Sequence, residues 1–261
     1  MLNLENISFR IGSKVLLNNI TATFKPGKMN LIVGPNGAGK STLIKCLSKQ
    51  LEPSAGKIYV GLKEMSKLSL LQLSKIRAVL SQNIDMAFPL KVWEVVMMGR
   101  YAHFQSKPTD VDEQACSEAM RFFDVISLAE RNYLTLSGGE KQRVHFARVL
   151  AQIWFTQNNE TRYLLLDEPL TFLDIRYQIQ FMQQLQTLLK SQNLVVVGVV
   201  HDLNLAARFA DTLLLLHEGN MLATGTAREV LTPENIQKAF ELKASLQSSK
   251  ELNSFYFHFE V

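Results

Sequence analysis

A glycine-rich loop at residues 34–42 has the residue types and spacing of a phosphate-binding site. The pattern G-x-x-x-x-G-K-[ST] is matched by Gly34, Pro35, Asn36, Gly37, Ala38, Gly39, Lys40, Ser41 and Thr42. Glycines let successive backbone N–H groups turn toward a phosphate, and the helix that follows offers its N-terminal amides to the same anion. In this motif Lys40 neutralises the β- and γ-phosphates, and Ser41 offers a hydroxyl to Mg²⁺. The loop therefore predicts binding of a nucleoside triphosphate with Mg²⁺.

Two acidic residues supply the chemistry that such a loop lacks. The apolar run Tyr163–Leu166 predicts a buried strand, and Asp167 and Glu168 follow it directly. Ligands bind at the carboxyl edge of open α/β sheets, so Asp167 is expected to complete the Mg²⁺ shell that Ser41 begins. Glu168 would polarise a water aimed at the γ-phosphate, or accept its proton. The two carboxylates therefore predict hydrolysis of the bound triphosphate.

The elements that must position these residues read as an α/β chain. Met29–Val33 predicts a short apolar strand before the loop, and a helical pattern begins at Lys40. The continuous apolar runs Tyr163–Leu166 and Leu194–Val200 suit a parallel sheet covered by helices on both faces. A crossover helix over about 175–190 would connect these two strands.

Two parts of the chain depart from that alternation. Residues 1–33 carry short strand patterns separated by turns. Residues 83–135 show helical spacing over 92–99 and again over 111–123, which predicts a helical insertion.

Length and composition exclude several other classes of protein. The 261 residues are 47% hydrophobic and 20% charged, which is ordinary globular usage and excludes disorder or a coiled coil as the main architecture. The net charge of +4 is mild, so nucleic acid is not expected as a partner. Apolar runs fall short of the ~18 residues that span a bilayer, and no secretory signal is expected. Cys46 and Cys116 lack the spacing of a disulfide framework or a zinc site.

A third motif, Leu136-Ser137-Gly138-Gly139-Glu140, precedes Asp167 and is followed by a helical pattern. With these motifs in this order, the chain resembles the ATP-binding cassette (ABC) ATPases over nearly its whole length. The resemblance implies a P-loop NTPase fold, in which a RecA-like parallel-sheet core carries an N-terminal antiparallel β part and a helical subdomain. It implies one domain over 1–241, with the helical subdomain inserted at about 83–140, and a C-terminal tail at 242–261.

The same resemblance implies roles for individual residues. Gln82 matches the Q-loop glutamine, which would touch Mg²⁺ or the attacking water, and His201 matches the switch histidine, which would contact the γ-phosphate. Asp174 matches the D-loop aspartate at the interface between two subunits. Ser137 and Gly139 would bind the γ-phosphate of ATP held by the opposite subunit. The implied catalytic residues are Glu168, His201 and Gln82, and the implied Mg²⁺ ligands are Ser41, Gln82 and Asp167.

Two positions depart from the family pattern. Many members stack an aromatic ring on adenine just before the glycine of the first hairpin, where this chain has Ile11, and Phe9 lies two residues earlier. The D-loop carries Phe172 where small residues are usual. The resemblance therefore leaves adenine stacking unsupported and places a bulky ring near the subunit interface.

The partners follow from the resemblance as well. Residues 95–101 resemble a segment of the iron-siderophore, haem and vitamin B12 importers, and residues 147–154, 201–207 and 213–219 look most like haem-import ATPases. This implies a homodimer on two transmembrane permease subunits, at the cytoplasmic face of the bacterial inner membrane. An extracytoplasmic binding protein would act indirectly, without touching this chain.

The permease itself would be gripped at one place on each copy. Residues 85–89 and the region of Arg100 and Tyr101 would hold a short cytoplasmic helix of the permease.

Alternatives stay open at this point. Within the importers, the cargo could instead be a ferric siderophore or cobalamin. A soluble ABC ATPase is the alternative of another class, although this chain has neither the second cassette nor the long coiled coil that many of these carry. A P-loop kinase would have no use for the motif at 136–140. The tail, which ends in Phe255-Tyr-Phe-His-Phe259, is either an added edge strand or a partner contact.

Overall fold

In a computed structural model of the chain, antiparallel strands come first, and helices alternate with parallel strands after them. The structure describes residues 1–81, 88–155, 160–171, 173–249 and 254–260. The strands are β1 (Leu2–Ile11), β2 (Lys14–Phe24), β3 (Met29–Val33), β4 (Ala55–Val60), β5 (Lys63–Glu64), β6 (Arg77–Leu80), β7 (Arg162–Leu166), β8 (Leu194–Val199), β9 (Thr212–His217), β10 (Asn220–Gly225), β11 (Lys243–Ser249) and β12 (Ser254–Glu260).

The helices include the predicted crossover helix, which is α6. They are α1 (Lys40–Leu47), α2 (Leu70–Ile76), α3 (Val92–Met97), α4 (Asp110–Phe122), α5 (Gly138–Gln152), α6 (Ile175–Ser191), α7 (Leu203–Phe209), α8 (Ala227–Val230) and α9 (Pro233–Phe240). Short 3₁₀ turns lie at Met65–Lys67, Met98–Arg100, Ile126–Leu128 and Tyr133–Thr135. Within the described ranges, each helix is too short or too polar to span a lipid bilayer.

A six-stranded sheet brings the ends of three strands to one edge. Its strand order is β10-β9-β3-β8-β7-β6, and all but β10 run parallel to their neighbours. β3, β7 and β8 are buried along their whole length, as strands are when both faces of a parallel sheet are covered. The segments that follow these three strands therefore meet at the carboxyl edge. The predicted parallel sheet is confirmed.

Side chains of the six-stranded sheet alternate between two cores. Val195, Val197 and Val199 of β8 pack with α1 and with a four-stranded antiparallel sheet of order β2-β1-β4-β5. Leu194 and Val196 of the same strand pack with α3, α4, α5 and α6. Each such side chain stabilises the fold by about 1.5–3 kcal/mol when fully buried. The antiparallel part and the helical part therefore lie on opposite faces of the main sheet.

Close packing joins the 3₁₀ turn at Met98–Arg100 to α5. A Cβ at Gly99 would lie only 2.1 Å from the carbonyl oxygen of Arg148. Any residue other than glycine would therefore push the turn away from the helix.

Arg100 lies in the interior of the helical part. Its Nε donates to Asp112 Oδ1 at 2.9 Å, and its Nη1 donates to the carbonyl of Ala151 at 2.9 Å, near the end of α5. The Arg100 side chain is 3% exposed, whereas Tyr101 is 62% exposed. The expectation that Arg100 contacts a permease is therefore wrong, because its guanidinium group is held inside the chain by these partners.

The tail forms a hairpin of its own. β11 and β12 pair antiparallel, with Lys243 opposite Glu260 and Ser249 opposite Ser254. β11 runs beside α9, and β12 runs beside α7. The tail therefore forms strands, but they make a separate two-stranded sheet and do not add an edge strand to the six-stranded sheet.

Candidate nucleotide site

The phosphate loop joins β3 to α1 and closes around its own lysine. Lys40 Nζ donates to the carbonyls of Gly34 at 2.8 Å and Pro35 at 2.9 Å. Burial lowers the pKa of Lys40, and the nearby charges of Glu168 and Asp167 raise it in part. The loop thus holds a partly desolvated cation, which an anion would stabilise.

The loop backbone requires glycine at both ends of the motif. A Cβ at Gly34 would lie 2.2 Å from the carbonyl oxygen of Leu216, and a Cβ at Gly39 would lie 2.7 Å from that of Leu16. Both glycines have positive φ values, +151° and +99°. Gly39 is also the N-cap residue of α1 and has no side chain to occupy the first amides of the helix. Those amides therefore remain available to a phosphate.

Ser41 and Asp167 form an oxygen pair beside the loop. Ser41 Oγ donates to Asp167 Oδ1 at 3.0 Å, and the backbone N–H of Asp167 donates to the carbonyl of Leu80 at 2.9 Å. Burial raises the pKa of Asp167, and the charge of Glu168 raises it further. Adjacent oxygens around an octahedral Mg²⁺ lie about 3 Å apart, because each Mg–O bond is about 2.1 Å. The pair therefore fits two neighbouring positions of a Mg²⁺ shell, and a cation there would relieve the burial of the carboxylate.

The Glu168 side chain points away from Ser41 and Asp167 and contacts His201. Glu168 Oε1 lies 2.7 Å from His201 Nε2. Glu168 has a φ of 53°, a left-handed conformation that costs a non-glycine residue about 1–2 kcal/mol. The Glu168 side chain is 16% exposed and that of His201 is 47% exposed. The acidic pair thus has two environments, one beside the phosphate loop and one at an open edge beside a histidine.

Ser137 begins α5 with a reciprocal capping box. Its Oγ accepts from the backbone N–H of Glu140 at 3.3 Å, and Glu140 Oε2 accepts from the backbone N–H of Ser137 at 2.8 Å. The N–H and hydroxyl of Ser137 hold the pKa of Glu140 below its usual range. This arrangement fixes the direction of the first turn of α5.

The two glycines after Ser137 line an open surface. A Cβ built at Gly138 or at Gly139 would meet no atom within 4 Å in the part of the chain that the structure describes. Packing among the described residues therefore does not require glycine at either position.

Two glutamines hold the loop that follows the acidic pair, and the sequence analysis missed both. Gln142 Nε2, from α5, donates to the carbonyl of Pro169 at 3.0 Å. Gln178 Nε2, from α6, donates to the carbonyl of Leu173 at 3.1 Å. The available signal was the position of Gln142, which lies one turn into the helix that the third motif begins. These contacts tie α5 and α6 to the loop that follows Glu168.

The remaining predicted residues fall in different places. Asp174 caps α6 by accepting from the N–H of Tyr177 at 3.0 Å. Gln82 and Phe172 lie outside the described residues, as do residues 85–87 of the segment 85–89 expected to hold the permease. Phe9 is buried at 8% exposure, while Ile11 is 62% exposed. Ile11, and not Phe9, therefore presents an apolar side chain at the surface of the first hairpin.

A groove of about 630 Å³ opens on the helical part. Trp93, Met97, Tyr101 and Phe104 are among the residues that line it, with Glu94 and Glu113 at its polar positions. Tyr101 and Phe104 meet edge to face, with their ring centroids 5.7 Å apart. Exposed aromatic area of this kind, in a concavity, is typical of a surface that binds another protein.

Comparison with known proteins finds a matching family and similar sequences. Residues 17–171 match a family described as ABC transporter. The hemin import ATP-binding protein HmuV of Bordetella avium is 43% identical over 245 residues, which cover 94% of either chain. HmuV of Gloeobacter violaceus is 44% identical over 243 residues, which cover 93% of this chain and 88% of that one.

Solved structures of ABC transporter proteins have folds similar to that of this chain. One described as an inward-facing conformation of a metal-chelate type ABC transporter matches with a TM-score of 0.84 at 29% identity, covering all of this chain and 97% of that one. The dimeric structure of MJ0796, a bacterial ABC transporter cassette, matches with a TM-score of 0.73 at 26% identity, covering 87% of this chain and 99% of that one. With the phosphate loop, the acidic pair and the motif at 136–140 in one fold, this chain belongs to the ABC transporter family of ATPases.

Proposed function

We propose that this chain is the ATP-hydrolysing subunit of a haem importer. The observation that carries the proposal is the 43% identity with a hemin import ATP-binding protein along 94% of the chain. The nucleotide site supports it, because the phosphate loop, the acidic pair and His201 follow strands that end at one edge of the main sheet. The chain hydrolyses ATP, and the import of haem is the work that this hydrolysis drives.

Phosphate and cation binding fall to the loop and its neighbours. Lys40 would exchange its two carbonyl acceptors for phosphate oxygens, and Ser41 and Asp167 would hold Mg²⁺. From the family resemblance, Gln82 is a further contact to the cation or to the attacking water. When bound, Mg²⁺ neutralises charge on the β- and γ-phosphates.

Glu168 activates the water that attacks the γ-phosphate. His201 Nε2, 2.7 Å from its carboxylate, holds Glu168 in position. From the family resemblance, His201 would also contact the γ-phosphate. The left-handed backbone of Glu168 supports this role, since strained residues cluster at sites where geometry matters more than stability.

The competent site needs two copies of the chain. Gly138 and Gly139 leave an open surface beside the exposed Ser137, and we place the γ-phosphate of the opposite subunit's ATP against that surface. Asp174 lies at the same subunit interface. A twofold axis makes the two sites equivalent. Closure of the dimer then traps two ATP molecules between the loop of one copy and the motif of the other.

The groove on the helical part is the permease site. Tyr101 and the other apolar groove residues would receive a short cytoplasmic helix from each of two permease subunits. The chain then lies at the cytoplasmic face of the membrane through these partners, and an extracytoplasmic binding protein delivers the cargo on the other side. Haem never touches this chain, so cargo choice resides in the permease and the binding protein.

A second candidate cargo is another metal chelate, such as a ferric siderophore or cobalamin. The match to a structure described as a metal-chelate type ABC transporter favours it.

Growth on a single iron source tests the proposal. Cells that lack this chain should fail to grow on haem as sole iron source, and the wild-type chain should restore growth while Glu168→Gln should not. Growth on a ferric siderophore should be unaffected by the loss. Normal growth on haem without the chain would overturn haem as the cargo, and rescue by Glu168→Gln would overturn the coupling to hydrolysis.

A further inference from the structure

Tyr133 and His145 form a buried pair directly behind the motif at 136–140. Tyr133 Oη lies 2.7 Å from His145 Nε2, and the two rings meet edge to face with centroids 5.4 Å apart. The two residues are 3% and 4% exposed. Tyr133 lies in the 3₁₀ turn that leads into Ser137, and His145 lies on α5, which follows Ser137. The pair therefore bridges the segment entering the motif and the helix leaving it.

The histidine of this pair is neutral under cellular conditions. Burial lowers the pKa of His145 to about 4, and the charges of Arg148 and Lys141 lower it as well. A neutral imidazole shares one hydrogen with the tyrosine hydroxyl. His145 Nδ1 is buried without a hydrogen-bond partner among the described residues. The unpartnered nitrogen costs stability. The hydrogen bond between Nε2 and the tyrosine hydroxyl fixes the orientation of the ring.

The main chain of Tyr133 is held by a different part of the molecule. Its N–H donates to the carbonyl of Leu90 at 2.8 Å, and the N–H of Val92 donates to the carbonyl of Arg131 at 3.0 Å. Leu90 lines the groove on the helical part. Tyr133 therefore contacts the groove wall through its backbone and α5 through its side chain.

We propose that Tyr133 and His145 are positioning residues that set the motif at 136–140 against the ATP of the opposite subunit. The inference rests on the proposed dimer, and it assigns to this hydrogen bond the link between the groove wall at Leu90 and the first half of α5. Displacement of the groove wall moves the backbone of Tyr133, and the hydrogen bond carries that displacement to α5. Without the hydroxyl, the motif keeps its residues but loses its fixed orientation.

Matched variants test this assignment in the transporter assembled with its permease. Tyr133→Phe and His145→Leu should each lower kcat about tenfold, as expected for a modest misplacement of positioned groups. The double variant should fall no further than either single one, because both remove the same hydrogen bond. His145→Gln, whose amide can still bond the hydroxyl, should retain most of the activity. Binding of ATP to the isolated chain should stay within about twofold in every variant, because the pair is remote from the phosphate loop.

Tyr163→Phe is the control for loss of a buried hydroxyl. Tyr163 is 3% exposed, and its hydroxyl donates to the carbonyl of Met1 at 3.1 Å, away from the motif. This variant should keep the wild-type kcat. Wild-type kcat in Tyr133→Phe, an equal loss in Tyr163→Phe, or additive losses in the double variant would each overturn the proposal.

A dimerisation assay separates this inference from the proposed function. In the Glu168→Gln background, ATP should produce a dimer, and Tyr133→Phe should raise the ATP concentration needed for it. If the background protein stays monomeric at saturating ATP, the proposed dimer is wrong and the inference falls with it. If both proteins dimerise at the same ATP concentration, the positioning role alone is wrong.

Discussion

His201 Nε2 lies 2.7 Å from Glu168 Oε1 and joins segments that follow two neighbouring parallel strands, β8 and β7. Asp167, the residue before this glutamate, instead contacts Ser41 of the phosphate loop. Adjacent carboxylates on one strand end thus point to different partners, as the proposed division between cation binding and water activation requires.

Glu168→Gln should bind ATP and form a dimer but barely hydrolyse. The amide keeps the shape of the side chain and cannot accept the proton of the attacking water, so we expect a loss of about 10²–10⁴-fold in turnover. Phosphate release measures the turnover, and gel filtration with ATP measures the dimer. Glu241→Gln is the control, since Glu241 is exposed and shares the left-handed backbone with a φ of 59°. Turnover near the wild-type rate in Glu168→Gln would remove this residue from the catalytic role.

Lys40→Ala should weaken ATP binding by about 100-fold, which corresponds to the loss of one or two charge-assisted hydrogen bonds. Titration with a fluorescent ATP analogue gives the affinity. Lys49→Ala is the matched control, because Lys49 Nζ also donates to backbone carbonyls, among them that of Leu68 at 2.7 Å, at a place away from the phosphate loop. It should lower thermal stability and leave the affinity unchanged. Equal affinities in the two variants would contradict the phosphate role of Lys40.

Gly139→Ala should separate folding from activity. A Cβ at this position meets open space in the described structure, and alanine favours a helix by up to about 1 kcal/mol over glycine. We expect unchanged or higher thermal stability and a loss of ATPase activity of about tenfold or more, since the methyl group would occupy the surface proposed for the partner's phosphate. Gly99→Ala is the contrast, because its Cβ would lie 2.1 Å from the carbonyl oxygen of Arg148. That variant should lose stability.

Tyr101→Ala should weaken binding to the permease about tenfold or more, as truncation of an aromatic anchor does at many interfaces. ATP binding by the isolated chain should not change. Pull-down of the permease by tagged chain measures the effect. Leu62→Ala tests whether any exposed apolar residue matters, because Leu62 is 92% exposed on the turn between β4 and β5. Equal losses from both variants would argue against the groove as the binding site.

His145 should make the stability of the chain depend on pH in weakly acidic solution. Its pKa falls from 6.5 in the unfolded chain to about 4 in the folded one, so the unfolded state binds more protons between these values. The free energy of unfolding should therefore decrease as the pH falls from 6.5 to 4, by about 3 kcal/mol for this group. Urea unfolding at several pH values measures the slope. His145→Gln should flatten it, and an unchanged slope in that variant would place the effect elsewhere.

The phosphate loop and the parallel sheet could be predicted from sequence because their signals are local. Spacing along the chain fixes the backbone of the loop from Gly34 to Ser41, and continuous apolar runs mark strands that are buried on both faces. Asp167 and Glu168 directly follow such a run, so predicting the strand also predicts that they lie at the carboxyl edge of the sheet.

Contacts between distant segments could not be predicted in this way. Arg100 looks like a surface residue in sequence, and only the positions of Asp112 and α5 explain its burial. Gln142 is one polar residue among several on α5 until Pro169 is found beside it. The tail has a strand-like pattern, but the sequence does not show that its two strands pair with each other in a hairpin.

Gly99 has no room for even a methyl group against α5, and Arg100 binds the end of the same helix. The turn that carries Met98 and Tyr101 of the groove is therefore fixed to the C-terminal end of α5. A permease bound at the groove would therefore move that end of the helix together with the turn, while the start of α5 near Ser137 is reached through Tyr133 and His145.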